Sequence, residues 1–314
     1  MNRLNNFCDE SMNISTLPTR LTLGTAQLGL LYGVSNTIGK PSKISAFQIL
    51  DTAFESGIRF LDTARSYGDS EFIIGSWLQE KKRSMSIITK IPRLANDLSS
   101  SSVQKVLRTS IEESLNSLRC DSIWGVMFHS YDTIKKYHSI AASTLIQLRE
   151  EGIIEHLGVS VYDPEELVES LNFDFDIFQA PINCFDARWN DQKLRDSLKQ
   201  KFLFARSIYL QGLLLLDPKT AEQKVPGSGV YIEKLEKISK GMKIDRKTLA
   251  FAFVNSQEHM SSLIIGVETT RQVKENVELC KTAKLDEEQM QRVRKEIGHV
   301  PINIFKPTLW PKSS

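Results

Sequence analysis

Short, strongly apolar runs recur at 21–23, 58–61, 86–89, 122–128, 156–159, 177–179, 202–205 and 263–265, and this repetition restricts the possible folds more than any other feature. Between the runs lie stretches of helical period, among them 45–55, 70–80, 102–118, 134–151, 164–171 and 271–280. A strand with one wet face would alternate apolar and polar residues. These runs do not, so they belong to a parallel sheet covered on both sides. The expected fold is α/β: a single (β/α)8 TIM barrel domain over residues 1–314, with a core at about 20–281, peripheral segments 1–18 and 298–314, and an irregular C-terminal tail. The count of units alone also fits a doubly wound sheet.

Local signals support the alternation. Asp163-Pro164-Glu165-Glu166 offers an N-cap, a proline for the first helical turn and acidic residues for the helix dipole, and Ser102 reads as the head of its helix, with Lys105 in the first turn. The seventh unit is irregular: Pro218 and then Pro226-Gly227-Ser228-Gly229 interrupt the chain before helical stretches at 231–240 and 246–256, and this loop is expected on the active face. The tail holds three prolines with Phe305 and Trp310, which suits either closure over the barrel or packing on its side. Residues 1–18 read as loose.

Composition narrows the functional classes. One barrel takes about 250 residues, and the 314 present leave the excess for loops and ends. Lys+Arg 40 against Asp+Glu 38 gives a formal charge of +2, no electrostatic basis for binding nucleic acid. The start is polar and no apolar stretch approaches the ~20 residues of a membrane span, so no membrane partner and a cytoplasmic location are expected. Cys8, Cys120, Cys184 and Cys280 are widely spaced and read as reduced thiols, and the five histidines show no metal-ligand spacing. Oligomeric state is left open.

Four polar residues stand at or just beyond the ends of consecutive runs: Asp62, Tyr67, Lys90 and His129. Taken singly, an aspartate there is most often a cap, a lysine solvated and a histidine structural. Together, on the second, third and fourth βα units, they form a plausible catalytic tetrad at one barrel mouth. Tyr67 is the natural proton donor to a carbonyl oxygen under hydride attack. An ammonium such as Lys90 about 4 Å away would stabilise the phenolate by roughly 4 kcal/mol at an effective dielectric of about 20, lowering the phenol's pKa by a couple of units. Asp62 would keep the lysine charged and His129, as a neutral donor, would position the carbonyl.

The chain resembles the aldo-keto reductase superfamily, as a bacterial-type member, through Leu23-Gly24-Thr25-Ala26, Gly57-Ile58-Arg59-Phe60-Leu61-Asp62-Thr63-Ala64-Arg65-Ser66-Tyr67-Gly68, Thr89-Lys90 and Phe128-His129-Ser130. It continues through Gly158-Val159-Ser160, Gln179-Ala180-Pro181-Ile182-Asn183, Arg206-Ser207, Gln211-Gly212, Ile265-Gly266 and Glu275-Asn276. The resemblance implies a barrel that uses NADPH or NADH to interconvert carbonyls and alcohols. It implies Tyr67 as acid–base group with Lys90 and Asp62 behind it, and His129 orienting a small-molecule carbonyl substrate. On the cofactor side it implies Gly24 and Thr25 at the first strand end, Ser160 and Gln179 on the nicotinamide carboxamide, Ser207 at the pyrophosphate, and Glu275 and Asn276 at the adenine.

Two departures stand out: Val161 where many relatives carry asparagine, and Arg206 where many place a tyrosine beneath the nicotinamide, so that the guanidinium is expected to stack there. They point to a branch found in bacterial sugar and surface-polysaccharide contexts. Around the adenosine 2′-phosphate the chain aligns Gly266, Val267 and Gln272, leaving Arg271 as the obvious cation beside Glu268. NADPH is expected by a modest margin, helped by amides at the start of the helix near 270, with NADH usable. The rival classes are a cofactor-binding regulatory or redox-sensing subunit with little turnover, and a lyase using Lys90 as a Schiff-base nucleophile. Substrate choice is expected to lie with Tyr32, Phe185, Trp189 and the 305–310 tail.

Overall fold

Eight strands close on themselves because the first finds a hydrogen-bonding partner on each side. A computed structural model describes residues 17–311 of the chain. The strands are β1 (Leu21–Gly24), β2 (Phe60–Asp62), β3 (Ser86–Ile91), β4 (Ile123–Phe128), β5 (Ile154–Ser160), β6 (Ile177–Pro181), β7 (Phe202–Arg206) and β8 (Ser262–Gly266). They run parallel in sequential order, and β1 pairs with both β2 and β8, Gly24 lying opposite Asp62 on one side and Gly266 on the other. The closed barrel removes the doubly wound alternative. Cys8 and nearly all of the 1–18 segment lie outside the described residues.

The helices carry the sequence's caps with a few shifts. The helix Ser100–Leu118 starts two residues earlier than read, since Ser99, not Ser102, is extended and accepts from the Ser102 amide at 3.2 Å. Any serine in that run can cap; the first in extended geometry does so. Where an irregular stretch was expected, Pro218 opens a helix, Pro218–Lys224, with Asp217 accepting from Thr220 N at 3.0 Å. The tail adds a short helical turn, Ile302–Phe305, and lies against the loops that follow β5 and β6. Lys306 reaches Asp163 at 2.6 Å, and Arg188, itself paired with Asp163, lies 4.8 Å from the Phe305 ring centre. The tail therefore packs on the mouth-side loops.

Every strand position except a few at the ends is buried, as a sheet wrapped on both sides requires. Inside the barrel Phe60, Ile88, Trp124, Met127, Ile177, Phe204 and Ile264 form a separate cluster, with Phe60 and Trp124 edge-to-face at 4.7 Å. The interior is thus filled, and any reactive site must sit at a mouth. Next to Lys90, Thr89 is pinned by the buried carboxylate of Glu71, which accepts from Thr89 Oγ1 at 2.6 Å, Ser114 Oγ at 2.9 Å and Arg65 at 2.7 Å. This one side chain joins β3 to the helices Ser70–Lys81 and Ser100–Leu118.

Removing that carboxylate takes the acceptor from the buried Thr89 and Ser114 hydroxyls and leaves Arg65 to Glu113 and Ser117 alone. Glu71→Ala should lower the unfolding free energy by about 3–5 kcal/mol, and Glu71→Gln, which keeps one acceptor, by less. Urea denaturation of the two variants checks this, and a loss below about 1 kcal/mol for Glu71→Ala would show that the junction does not depend on Glu71.

Candidate active site

The period of two along a strand builds the site. Phe60, Ile88, Ile177, Phe204 and Ile264 point into the barrel, so the residues two further on lie in the next layer toward the C-terminal mouth. Those residues are Asp62, Lys90, Gln179, Arg206 and Gly266. The apolar layer below denies them water from one side, and the mouth is the open side. Lys90 is 0% and Asp62 4% exposed. Lys90 Nζ donates to Asp62 Oδ1 at 2.5 Å and to the Thr63 carbonyl at 3.1 Å, while Gln179 Nε2 donates to the same carboxylate oxygen at 2.7 Å.

Tyr67 and His129 complete the group on loops just beyond β2 and β4. The Lys90 ammonium lies 5.1 Å from the Tyr67 ring centre, and the Tyr67 and His129 rings meet edge-to-face at 5.7 Å. Tyr67 is seated by the chain around it: a Cβ on Gly29 would strike the Tyr67 carbonyl, and one on Gly68, at φ +58°, would strike the Gly29 carbonyl. Glycine at both positions lets the two loops touch. The four tetrad residues are brought together as their order implied.

The electrostatics differ from expectation in one respect. Burial pushes the Tyr67 phenol up and the Asp62 charge pushes it further, with Arg206 opposing. The expected depression by Lys90 took that ammonium as a lone charge. Its partner carboxylate at 2.5 Å cancels most of its field, and burial then dominates. Burial also pulls the Lys90 amine down, against Asp62. A phenol held protonated is a donor at neutral pH. Burial, with Lys90 and Arg206, lowers His129 to about 3, so its imidazole is neutral, and Ser66 Oγ lies 3.1 Å from its Nδ1. Lys90, enclosed and paired, is not presented as a nucleophile, which removes geometric support for Schiff-base chemistry.

A cavity of about 240 Å³ opens above this layer, lined by Asp62, Tyr67 and Gln179 and, across the mouth, by Glu268, Arg271, Gln272, Glu275 and Asn276 of the loop and helix after β8. Gly24, Arg206, Ser207 and Gly266 also line it. Thr25 and Ser160 do not: Thr25 Oγ1 donates to the Asp62 carbonyl at 2.9 Å and Ser160 Oγ to Gln179 Oε1 at 3.4 Å. Gln272 spends its side-chain oxygen capping the helix Thr270–Thr282, accepting from Glu268 N at 2.6 Å and Thr269 N at 3.2 Å, while Thr269 accepts from Gln272 N. Of the amides at the start of that helix, the one of Gln272 is therefore already paired, as are those of Glu268 and Thr269 just before it.

The two departures from the family pattern touch each other. Arg206 donates to the Val161 carbonyl at 3.0 Å and lies 4.3 Å over the Tyr162 ring, so one face of the guanidinium is already occupied. Sequence reasoning missed Gln27, Tyr209 and Lys247. Tyr209 donates to Asn276 Oδ1 at 2.7 Å, and Lys247 pairs with Glu275 at 2.5 Å from the helix Arg246–Asn255. No local signal marked Lys247; only the packing of that helix beside the one after β8 places it at the cavity. Tyr32 lines the cavity as expected, whereas Phe185, Trp189 and the tail do not. Among the described residues no cluster could hold a metal ion, and no helix is long and apolar enough to cross a membrane.

Fold and site together describe a closed (β/α)8 barrel with a polar layer at its C-terminal mouth. The aldo/keto reductase family model matches residues 20–297, and the chain belongs to that family. It is 25% identical over 284 residues to the uncharacterized oxidoreductase YqkF of Bacillus subtilis, covering 84% of this chain and 90% of that protein. It is 24% identical over 309 residues to a pyridoxal 4-dehydrogenase of Microbacterium luteolum, covering 82% and 88%. A solved aldo-keto reductase of Bacillus halodurans in its holo form superposes with a TM-score of 0.70 at 19% identity, covering 91% of this chain and 95% of that one, which supports the fold.

With a folded pKa near 3, His129 resists a proton that the unfolded chain takes up near 6.5; His259, lowered to about 4 by burial, behaves alike. Stability contributed by the neutral rings is therefore full above pH 6.5 and lost as pH falls toward the folded values. The His129 ring signals should stay unshifted in NMR titration from pH 8 to about 4.5 while the urea midpoint declines. A His129 titration centred near 6.5 would contradict the burial.

Proposed function

We propose that the protein is an NAD(P)H-dependent reductase that converts an aldehyde, ketone or sugar carbonyl to the alcohol, with Tyr67 as general acid. The observation that carries this reading is the buried Lys90–Asp62 pair beside Tyr67, of which Asp62 and Tyr67 line a cavity that extends to Arg271 and Asn276. The chemistry of the lining fits a dinucleotide: Arg206, Lys247 and Arg271 supply cations for phosphates, and Asn276 and Glu275 supply polar groups for a base. Bound NAD(P)H supplies the hydride. Gln179, held from behind by Ser160, is the candidate for its carboxamide, Gly24 and Gly266 for close backbone approach, and Ser207 for the pyrophosphate, whereas Thr25 acts through its bond to the Asp62 carbonyl.

The chain's own residues then manage one proton and one oxygen. Tyr67 donates its proton to the carbonyl oxygen as negative charge develops there. The phenolate left behind is favoured by the Arg206 guanidinium, which already opposes the upward shift of the phenol, while the paired Lys90 and Asp62 form the polar surroundings of the ring. The neutral His129 holds the carbonyl oxygen by a hydrogen bond. Tyr67→Phe should lower kcat by roughly 10²–10⁴ with little change in cofactor affinity. Near-normal turnover in this variant, measured by NADPH oxidation over a panel of carbonyls, would refute the assignment.

For the cofactor we infer a modest preference for NADPH with NADH usable. With the Thr269 and Gln272 amides committed to the capping box and the Glu268 amide bound to the Gln272 side chain, the 2′-phosphate depends mainly on cations. Arg271 is 84% exposed and within 3.6 Å of Glu275, which also holds Lys247. A phosphate entering here competes with Glu275 for both cations, which keeps the preference modest. Arg271→Ala should weaken NADPH and leave NADH binding nearly unchanged, as read by fluorescence titration. Tighter NADH binding by the wild type, or equal losses in the variant, would overturn the inference.

A further inference from the structure

The loop after β3 and the first turns of the helix after β4 line a second, open cavity of about 220 Å³, which the proposed proton and hydride chemistry leaves unused. Arg93, Lys135 and Lys136 line it with Asn96, Thr133 and Asp132. Three cations thus face one lining carboxylate. Arg93 meets Asp132 at 3.1 Å, and Lys136 meets Asn96 at 3.0 Å and Asp97 at 3.3 Å, while Lys135 has no ion pair among the described residues. With Asp97 counted the wall is still net positive.

A second observation is independent of this charge. Thr133 is 3% exposed, and its hydroxyl is buried without a hydrogen-bond partner. A threonine in the first turn of a helix ordinarily satisfies its hydroxyl on nearby backbone, and an orphaned buried hydroxyl is unfavourable. An acceptor oxygen in the cavity would satisfy it. Thr133 lies in the first turn of the helix Tyr131–Glu150, whose positive dipole end adds to the field of the cations. The Asp132 amide there is already capped by Ser130 at 3.2 Å, so side chains would have to make the contacts.

The cavity is close to the tetrad along the chain. Arg93 is three residues beyond Lys90 and Asp132 three beyond His129, both past strand ends on the reactive face. Three residues span at most about 10 Å, a length that a small phosphorylated sugar can bridge. We propose that this cavity holds the phosphate monoester of a phosphorylated carbonyl substrate whose carbonyl lies at Tyr67. The dianion matches the positive wall, and its oxygens offer acceptors for the Thr133 hydroxyl, Arg93 and Lys135. This assignment of substrate class rests on the reductase reading above.

Two measurements test the proposal. Inorganic phosphate is titrated calorimetrically into wild type, Arg93→Met and Thr133→Val, and the same proteins are assayed with glyceraldehyde 3-phosphate and with glyceraldehyde. Wild type should bind phosphate, each variant about fivefold or more weaker, and wild-type kcat/KM should favour the phosphorylated aldehyde about tenfold, mostly through KM. Arg93→Met should erase most of that preference. No phosphate binding by wild type, or equal losses for both aldehydes, would overturn the proposal. Phosphate binding without preference between the aldehydes would overturn the substrate assignment and identify free phosphate as the ligand. Failure to turn over any member of the carbonyl panel, these two aldehydes included, beside phosphate binding that the variants weaken, would overturn the reductase reading and leave the phosphate site supported.

Discussion

The Lys90–Asp62 ion pair is the interaction on which the rest of the site depends. Removing two charges from water costs several kcal/mol per ion after relaxation, and only close geometry with further hydrogen bonds offsets it. The barrel supplies both: the pair meets at 2.5 Å, the Thr63 carbonyl takes another proton of the ammonium, and Gln179 donates to the carboxylate from the far side of the barrel. Three strands, β2, β3 and β6, are held in register by one polar cluster. Burial, with the Asp62 charge added to it, keeps the proton on the Tyr67 phenol before reaction, because Lys90 is already paired.

The same layer geometry explains how a filled barrel has a site at all. The aromatic cluster around Phe60, Trp124 and Phe204 closes the interior, and the next inward positions are polar because they face the open mouth. One residue of slip in any strand would turn its polar member outward onto a helix. The Glu71 junction guards against such slip on β3 by tying Thr89, adjacent to Lys90, to two helices. Structural polar groups and reactive ones are thus neighbours on a single strand, facing opposite sides.

Charge is distributed unevenly around the mouth. Arg206 is held over Tyr162 and against the Val161 carbonyl, so the two substitutions relative to the family pattern form one unit. Its guanidinium shifts Tyr67, Lys90 and His129 in the direction that keeps negative charge welcome. On one side Lys247, Arg271 and Glu275 compete among themselves; on the other, Arg93, Lys135 and Lys136 flank the cavity beyond β3 and β4. A substrate and a dinucleotide that both carry phosphates would find complementary walls at the two flanks.

The eight strands and the positions of Asp62, Lys90 and His129 at or just past their ends were legible from local pattern, because burial on both sheet faces writes continuous apolar runs, whereas closure into a barrel over a doubly wound sheet is decided by the pairing of β1 with β8. The boundary of the helix after Ser99 and the role of Pro218 were misread by a few residues, since several capping residues compete and only backbone geometry selects among them. What tertiary structure alone decided are contacts between residues far apart in the chain. They include Gln179 on Asp62, Val161 with Arg206, Lys247 on Glu275, the tail's Lys306 on Asp163, and the unpartnered Thr133 hydroxyl. The physical reason is that periodicity encodes which face a residue takes, whereas partners and electrostatic balance depend on distances that exist only once the barrel has closed.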